Sequence, residues 1–187
     1  MHLPHIALIG KARAGKDTVA QILTREYAYT RLAFADELKR AALRTNPIIP
    51  DDPQGGHHAR LADLVEQFGW EWCKDRLPEV RRYLQATGVA MRDIDPRIWI
   101  RPVERSVEQG TRWNMPCVVT DTRFNNEVET LTGLGAITIR ITRPGTGSDT
   151  HVSETELDDY KTNYTIVNAG TLEDLGESVR NLVRRLA

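Results

Sequence analysis

Nine consecutive residues near the start of the chain have the composition of a loop that binds phosphate. Residues 10–18 read Gly-Lys-Ala-Arg-Ala-Gly-Lys-Asp-Thr, between a short apolar run and a helical pattern. The glycines allow backbone N–H groups to turn toward one point, and the N-terminus of the following helix adds positive potential there. Lys16 adds a mobile charge for the outer phosphates, so this spacing predicts a nucleoside triphosphate site. The predicted loop contacts are Lys11, Ala12, Arg13, Ala14, Gly15, Lys16, Asp17 and Thr18.

The residue after the loop lysine departs from the usual pattern. That position commonly holds Ser or Thr, whose hydroxyl binds Mg²⁺, whereas this chain has Asp17 followed by Thr18. A carboxylate is a hard oxygen ligand that suits Mg²⁺. Asp17 is therefore predicted to bind the metal directly, to act through water, or to contact the acceptor, and Thr18 is an alternative residue facing the nucleotide. The residues alone leave these alternatives open.

A second acid follows another apolar run. Residues 116–121 read Pro-Cys-Val-Val-Thr-Asp, and ligands of open α/β folds bind at the carboxyl ends of the strands. Asp121 is predicted to hold the metal or a metal-bound water, with the N-cap of the next helix as the alternative role. Arg123 can grip phosphate in a bidentate fork, or it is a surface arginine.

Three further groups suit an acceptor that carries phosphate. Residues 34–39 follow the second predicted strand, residues 85–92 place Gln85 and Arg92 within two helical turns, and Arg143 and His151 flank a glycine-rich loop. Converging arginines stabilise the spread negative charge of a phosphoryl transfer, although each of them alone can be a solvated side chain. Trp70 is an aromatic candidate for stacking on a base, with packing in a helical core as the alternative.

The order of the elements predicts an α/β fold. Short apolar runs alternate with helical patterns, which is typical of a parallel sheet with helices on both faces. The turn-rich residues 46–58 are predicted to form a loop. The predicted strands are 6–9, 29–34, 116–121, 136–141 and 164–167. The predicted helices begin at 18, 35, 60 and 78, with a further break of the helical pattern at 95–96, and two more helices span 125–133 and 172–186.

Composition excludes several classes of protein. The 187 residues include 25 Lys and Arg and 26 Asp and Glu, so the net charge of −1 argues against packaging of nucleic acid. Only two cysteines occur, which excludes a disulfide framework and a zinc ribbon. The apolar runs are too short for a membrane helix or a secretion signal, so we expect a soluble cytoplasmic protein. Pairing of two copies as a homodimer stays open.

The motifs in this order resemble those of the bacteriophage deoxynucleoside monophosphate kinases, over nearly the whole chain. The shared elements are Gly-x-x-x-x-Gly-Lys-Asp-Thr, Phe34-Ala35-Asp36-x-Leu38-Lys39, Leu84-Gln85-x-x-Gly88-x-x-x-Arg92, Asp121-x-Arg123-Phe124-x-Asn126-Glu127, His151-x-Ser153-Glu154 and Val167-Asn168-x-Gly170-Thr171. The loop motif is common to many kinases, whereas the Asp-x-Arg-Phe and His-x-Ser-Glu elements are more particular to this family.

The resemblance implies a three-layer P-loop fold with a central parallel sheet of about five strands. It implies a core of about 1–34, 115–142 and 164–187, a helical acceptor-binding region of about 35–110 and a lid of about 143–155. Mg²⁺·ATP would be the donor and a deoxynucleoside monophosphate (dNMP) the acceptor, with host cytoplasm as the location if a phage encodes the chain.

The resemblance also implies roles for individual residues. Lys16, Arg92, Asp121, Arg123 and Arg143 would be catalytic, with the order of the arginines between donor and acceptor phosphate open. Asn168 and Gly170 would lie near the adenine, and Asp17 and Asp121 would hold the metal. The predicted dNMP contacts are Phe34, Asp36, Lys39, Trp70, Gln85, Arg92, His151 and Glu154.

Two alternative functions remain at this point. One is another small-molecule kinase on the same scaffold, such as a dephospho-coenzyme A or phosphomevalonate kinase. The other is a nucleotide-dependent switch that hydrolyses ATP slowly. The accepted bases and the discrimination between deoxyribose and ribose are also open.

Overall fold

The computed structural model describes residues 3–51, 56–146 and 155–187. Its helices and strands follow the alternation that the sequence predicts. The helices are α1 (Lys16–Tyr27), α2 (Phe34–Thr45), α3 (Leu61–Arg76), α4 (Pro78–Ile94), α5 (Ile100–Arg112), α6 (Asn125–Gly133) and α7 (Leu172–Leu186). The strands are β1 (Ile6–Ile9), β2 (Thr30–Leu32), β3 (Ile48–Pro50), β4 (His58–Arg60), β5 (Cys117–Val119), β6 (Ile137–Thr142) and β7 (Tyr164–Val167).

Strand β1 lies at the centre of a five-stranded parallel sheet in the order β2-β5-β1-β6-β7. Ile6 is opposite Val118 on one side and Ile137 on the other. All four residues of β1 are buried, which explains their uninterrupted apolar run, since both faces of a parallel sheet are covered. Because every pairing in this sheet is parallel, the carboxyl ends of its strands meet at one edge.

Helices cover both faces of this sheet and give a three-layer architecture. On one face, Ile6 and Leu8 share a buried cluster with Val19 of α1 and Val179 of α7. On the other face, Ala7 belongs to a cluster of buried side chains from β5, α5 and α6. Successive side chains of a strand point to opposite faces, so the odd and even residues of β1 supply the two cores. The predicted three-layer fold with a parallel sheet is confirmed.

The chain forms two compact units, residues 1–34 with 100–187, and residues 35–99. The second unit contains α3, α4, nearly all of α2 and the strands β3 and β4. Its own core is apolar and is built by Ala42, Ile49, Leu61, Leu64, Cys73, Leu77, Val80 and Leu84.

An antiparallel hairpin occupies part of the segment that was predicted to be a loop. Ile48 pairs with Arg60, and Pro50 pairs with His58. Each strand has three residues, and only Ile49 in β3 is buried. Two strands of three residues each, in a segment rich in turn residues, are too short to show an alternation of apolar and polar residues. The sequence therefore does not predict this pairing.

Helix α5 belongs to the unit that contains the sheet, although the predicted acceptor-binding region of 35–110 included it. Ile100, Val103 and Val107 are buried beside Cys117 and Val119 of β5. The helical periodicity of α5 does not determine which surface its apolar face covers, because the same row of apolar side chains can pack against a sheet or against other helices.

In the parts of the chain that the structure describes, no helix has both the length and the apolar composition required to cross a membrane.

Gly110 of α5 provides a test of this packing. A Cβ there would lie 2.6 Å from Cys117 Sγ and 2.7 Å from the Met115 carbonyl oxygen, whereas a Cβ on Gly133 of α6 meets nothing within 4 Å. We expect Gly110→Ala to lower the free energy of unfolding by about 1–3 kcal/mol through overpacking. Gly133→Ala, its control, should hold or gain stability by up to about 1 kcal/mol. Thermal denaturation followed by circular dichroism measures both, and equal melting temperatures would contradict the packing described for α5.

Candidate functional site

The loop between β1 and α1 has the backbone of a phosphate cradle. Arg13 and Gly15 have positive φ angles of 63° and 108°, which turn the chain sharply before the first turn of α1. A Cβ on Gly10 would overlap the Ile141 carbonyl oxygen, and one on Gly15 would lie 2.6 Å from Asn168 Nδ2. Glycine is therefore required at position 10 because the loop backbone packs directly against the backbone of β6. At position 15 it is required because residues with a side chain rarely adopt a φ of 108°.

Lys16 lies back along this loop. Its Nζ donates hydrogen bonds to the carbonyl oxygens of Gly10 at 2.6 Å and Lys11 at 2.8 Å, and the residue is 8% exposed. These contacts orient the ammonium group along the loop. The carbonyl oxygens carry no net charge, so these two hydrogen bonds orient the lysine without neutralising it.

Asn168 and Gly170 lie in the loop between β7 and α7. Asn168 Nδ2 donates to the Ala14 carbonyl oxygen at 2.9 Å, and its backbone N–H donates to Thr142 at 2.7 Å. The structure thus places the Asn168 side chain against the backbone of the phosphate loop, where it holds the loop to the far end of the chain.

Gly170 directly precedes the cap of α7. Thr171 Oγ1 accepts a hydrogen bond from the Asp174 N–H, and the Thr171 N–H and hydroxyl both donate to Asp174 Oδ2. These donors lower the pKa of the Asp174 carboxyl group. A Cβ on Gly170 would lie 2.5 Å from Asp174 Oδ2, so the capping box leaves no room for a side chain there.

Asp121 follows β5 and is half-buried. Its Oδ1 accepts a hydrogen bond from the Phe34 N–H at 2.9 Å, which is the first N–H of α2. The carboxylate thus caps α2, whereas the alternative role predicted from the sequence was the cap of the next helix along the chain. The following helix α6 is capped by Glu127, whose Oε2 accepts from the N–H groups of Arg123 and Phe124 at 2.8 and 3.2 Å.

The Phe34 side chain lies in the core of the sheet unit. It is 4% exposed and clusters with Ala7 and Val119. Its backbone N–H, which donates to Asp121 Oδ1, is the polar group that Phe34 brings to the site.

An open pocket of about 190 Å³ lies where β1 and β6 end, and it gathers residues that are far apart in the sequence. Its lining includes the cationic residues Lys11, Arg123, Arg140 and Arg143 and one acid, Asp158. This excess of positive charge suits the oxyanions of a phosphate group. Three residues predicted for the site, Lys11, Arg123 and Arg143, are brought together here.

Thr122 also lines the pocket, and the sequence analysis did not single it out. The residue is 2% exposed, and its Oγ1 has no hydrogen-bond partner among the described residues. Buried hydroxyls normally have partners. Among the described residues, the Thr122 hydroxyl therefore has unused hydrogen-bonding capacity beside a cationic pocket. A single threonine after a strand gives no signal of this in the sequence.

The described acceptor candidates other than Phe34 lie in the unit of residues 35–99, and all are half-buried. They are Asp36 and Lys39 on α2, Trp70 on α3, and Gln85 and Arg92 on α4. Lys39 Nζ is 5.9 Å from the ring centroid of Trp70, within the range of a cation–π contact. Gln85 and Arg92 are seven residues apart, which places them on the same side of α4.

Two predicted residues, His151 and Glu154, lie outside the described residues. The same holds for residues 147–154 of the predicted lid of 143–155.

The donor atoms of the site suit a magnesium ion held largely by substrate. Among the described ranges, no group of three or more His, Cys, Asp or Glu residues is placed to hold a metal. Mg²⁺ is commonly held by one or two carboxylates together with substrate phosphates. Asp17, exposed in the first turn of α1, and Asp121 offer such carboxylates.

A family model described as deoxynucleotide monophosphate kinase matches residues 52–179 of the chain. The putative deoxynucleotide monophosphate kinase of Acanthamoeba polyphaga mimivirus is 28% identical over 193 residues, which covers 95% of each chain. The deoxynucleotide monophosphate kinase of Enterobacteria phage T4 is 27% identical over 133 residues, covering 68% of this chain and 52% of the relative. The matched region thus spans about half the length of the phage relative.

The dephospho-CoA kinase of Campylobacter jejuni has a similar fold. Its solved structure aligns with a TM-score of 0.54 and 11% identity, covering 98% of this chain and 97% of that one. At this identity the similarity concerns the fold alone, which is that of the P-loop kinases.

Replacing Thr122 tests whether its hydroxyl lacks a partner. We expect Thr122→Val to leave the melting temperature unchanged or to raise it, because a methyl group replaces a buried hydroxyl that has no partner among the described residues. Thr138→Val is the matched control. Thr138 is equally buried, and its Oγ1 donates to Asn163 Oδ1 at 2.9 Å and accepts from the Asn163 N–H at 3.0 Å.

The Thr138→Val variant should lose about 1–3 kcal/mol of stability, since it leaves buried polar atoms unpaired. Thermal denaturation of both variants provides the comparison. Equal losses in the two variants would show that the Thr122 hydroxyl is bonded within the protein.

Proposed function

The chain belongs to the deoxynucleotide monophosphate kinase family, and we propose that it transfers the γ-phosphoryl group of ATP to a dNMP. An oxygen of the acceptor phosphate would attack the γ-phosphorus, the bond to the β–γ bridging oxygen would break, and ADP would leave with that electron pair. The products are a deoxynucleoside diphosphate and ADP. The observation that carries the proposal is the glycine loop with Lys16 held along it, at the sheet edge where the cationic pocket opens.

On this proposal the loop binds the donor. Its backbone N–H groups and the N-terminus of α1 would cradle the phosphates, in contact with residues 11–18. Lys16 would stabilise the negative charge on the transferring group. Asn168 and Gly170 would contribute near the adenine, and the hydrogen bond from Asn168 to Ala14 supports this by joining their loop to the cradle.

Magnesium, when bound, neutralises charge on the β- and γ-phosphate oxygens. Asp17 and Asp121 are the residues we propose to hold it, directly or through water. The Phe34 N–H that reaches Asp121 Oδ1 would orient this carboxylate, as hydrogen bonds to ligating carboxylates commonly do.

We propose that the acceptor is recognised mainly by residues 35–99. Arg92 would bind the acceptor phosphate, Asp36 and Gln85 would make polar contacts, and Lys39 with Trp70 would offer a charged and an aromatic surface. Arg123 and Arg143 would stabilise the transition state from the sheet unit, which their place at the cationic pocket supports. His151 and Glu154 complete the proposed acceptor contacts. Phe34, whose ring lies in the core of the sheet unit, would contribute through its N–H on Asp121.

The deciding experiment is a coupled assay of ADP release with Mg²⁺·ATP. The acceptors are dAMP, dGMP, dCMP, dTMP, the matching ribonucleotides, dephospho-coenzyme A and phosphomevalonate. We expect turnover with one or more deoxynucleotides, clearly above that with the ribonucleotides. Turnover only on a non-nucleotide acceptor would reassign the function to another kinase, and slow ADP release regardless of acceptor would indicate a switch.

Lys16→Ala should reduce kcat by at least about 100-fold, because a charge that stabilises the transition state is removed. Its matched control is Lys161→Ala, which removes an exposed lysine and should retain wild-type kcat. Circular dichroism checks that both variants are folded. Wild-type turnover in a folded Lys16→Ala variant would remove Lys16 from the proposed mechanism.

Arg92→Ala should raise the KM for the dNMP about 10-fold or more and change the KM for ATP little, since the loss of a charge-assisted hydrogen bond costs about 1.5–3 kcal/mol. Steady-state kinetics with each substrate varied in turn separates the two constants. Arg44→Ala, an exposed arginine on α2, is the control. A larger effect on ATP would assign Arg92 to the donor instead.

A further inference from the structure

A short segment at residues 155–160 is fixed next to the phosphate loop by contacts with three elements. The Arg140 guanidinium on β6 donates to the carbonyl oxygens of Leu157 at 2.7 Å and Tyr160 at 2.6 Å. Glu156 Oε1 accepts from the N–H and Nδ2 of Asn125 at the start of α6, at 2.8 and 3.1 Å. Leu157 is buried in a cluster with Ile9 and Val128. The segment is therefore held firmly against the sheet unit.

This anchored segment presents one acid to the phosphate loop. Asp158 contacts Lys11 Nζ with both carboxylate oxygens, at 2.5 Å for Oδ1 and 2.7 Å for Oδ2. Both residues line the cationic pocket. The Lys11 side chain is 25% exposed and that of Asp158 is 47% exposed, so both groups remain within reach of solvent and of a ligand.

We propose that Asp158 is a positioning residue that competes with the phosphates of ATP for the Lys11 ammonium group. A carboxylate and a phosphate oxygen are both anionic hydrogen-bond acceptors, and Lys11 belongs to the loop that would cradle the phosphates. Asp158 holds Lys11 at the edge of the pocket, and binding of the nucleotide exchanges the carboxylate for phosphate. The inference rests on the proposed function only in taking ATP as the ligand.

The geometry favours exchange over a permanent structural pair. Both members of the pair are in contact with solvent, and ion pairs that solvent reaches contribute little net stability, so separating Lys11 from Asp158 costs little. The segment that carries Asp158 keeps its place through Arg140, Glu156 and Leu157, none of which depends on Lys11. After exchange, the Asp158 carboxylate would have lost its contact with the Lys11 ammonium group, and binding of the phosphates has to offset that loss. Asp158 thereby lowers the affinity for ATP and helps the phosphates to leave.

The test compares two neighbouring acids. Asp158→Asn and Asp159→Asn make the same change in net charge, and Asp159 is also exposed, but Asp158 is the one whose contact with Lys11 is described. Isothermal titration calorimetry of Mg²⁺·ATP, without acceptor, gives the dissociation constant. We expect Asp158→Asn to bind ATP about 3- to 5-fold more tightly, and Asp159→Asn to differ from wild type by less than about 1.5-fold, since exposed charges are screened by salt.

A double-mutant cycle with Lys11→Met isolates the contact. In that background, Asp158→Asn should change the dissociation constant of ATP by less than about 1.5-fold, because the competing partner is missing. Steady-state kinetics should show a lower KM for ATP in Asp158→Asn and an unchanged KM for the acceptor, a split that a structural role would not produce. Asp158→Ser serves as a second variant if the asparagine variant melts early.

Weaker or unchanged ATP binding in folded Asp158 variants, an equal effect in Asp159→Asn, or an effect that persists with Lys11→Met would each overturn the inference. Inorganic tripolyphosphate is the second probe. If the wild-type chain binds neither ATP nor tripolyphosphate, both this inference and the proposed function are overturned. If it binds ATP but phosphorylates no dNMP, only the proposed function fails, because the calorimetric test contains no acceptor.

Discussion

The parallel pairing of β1 with β5 and β6 is the constraint on which the site depends. Ile6 is opposite Val118 and Ile137, so the three strands run together and end at one edge. The phosphate loop after β1, Asp121 after β5 and Arg143 after β6 are consequently neighbours at that edge. β1 can occupy the centre because its side chains are apolar on both faces and are covered by two layers of helices.

The phosphate loop takes its conformation from segments far away in the chain. Asn168 reaches the Ala14 carbonyl oxygen across 154 positions of sequence, and the Ile141 carbonyl leaves space only for glycine at position 10. These contacts come from β6, which pairs with β1, and from the loop after β7, the strand beyond β6 on the same side of the sheet. The conformation of the phosphate loop thus depends on the assembled sheet as well as on the nine residues of the loop itself.

The cations around the site are held in two different ways. Lys16 and Arg140 donate to backbone carbonyl oxygens, and these contacts orient the charged groups. Lys11 instead meets a carboxylate, that of Asp158. An anion arriving in the pocket therefore meets the oriented charge of Arg140 and, at Lys11, a competing carboxylate. This difference is the basis for assigning Asp158 an influence on nucleotide binding.

The amino-acid sequence by itself determined the class of fold and the position of the phosphate loop. The strand at 164–167 and the helices at 125–133 and 172–186 have the predicted bounds, because their patterns are uninterrupted and their ends carry clear signals such as Thr171. The sequence pattern could not predict the hairpin of β3 and β4, because its strands are too short. It also could not predict the unit to which α5 belongs, because periodicity does not determine what the apolar face of a helix packs against.

Only the tertiary structure decided which charged groups share the pocket and how they are paired. Asp158 is 147 positions from Lys11, and nothing in the composition of residues 155–160 distinguishes it from Asp159. Thr122 likewise lies between two predicted site residues, but the sequence does not mark it as a site residue. Only the structure shows that its buried hydroxyl has no partner among the described residues. Local motifs reflect backbone geometry and periodicity, whereas ion pairs and buried polar groups depend on distances that are set when the sheet brings distant segments together.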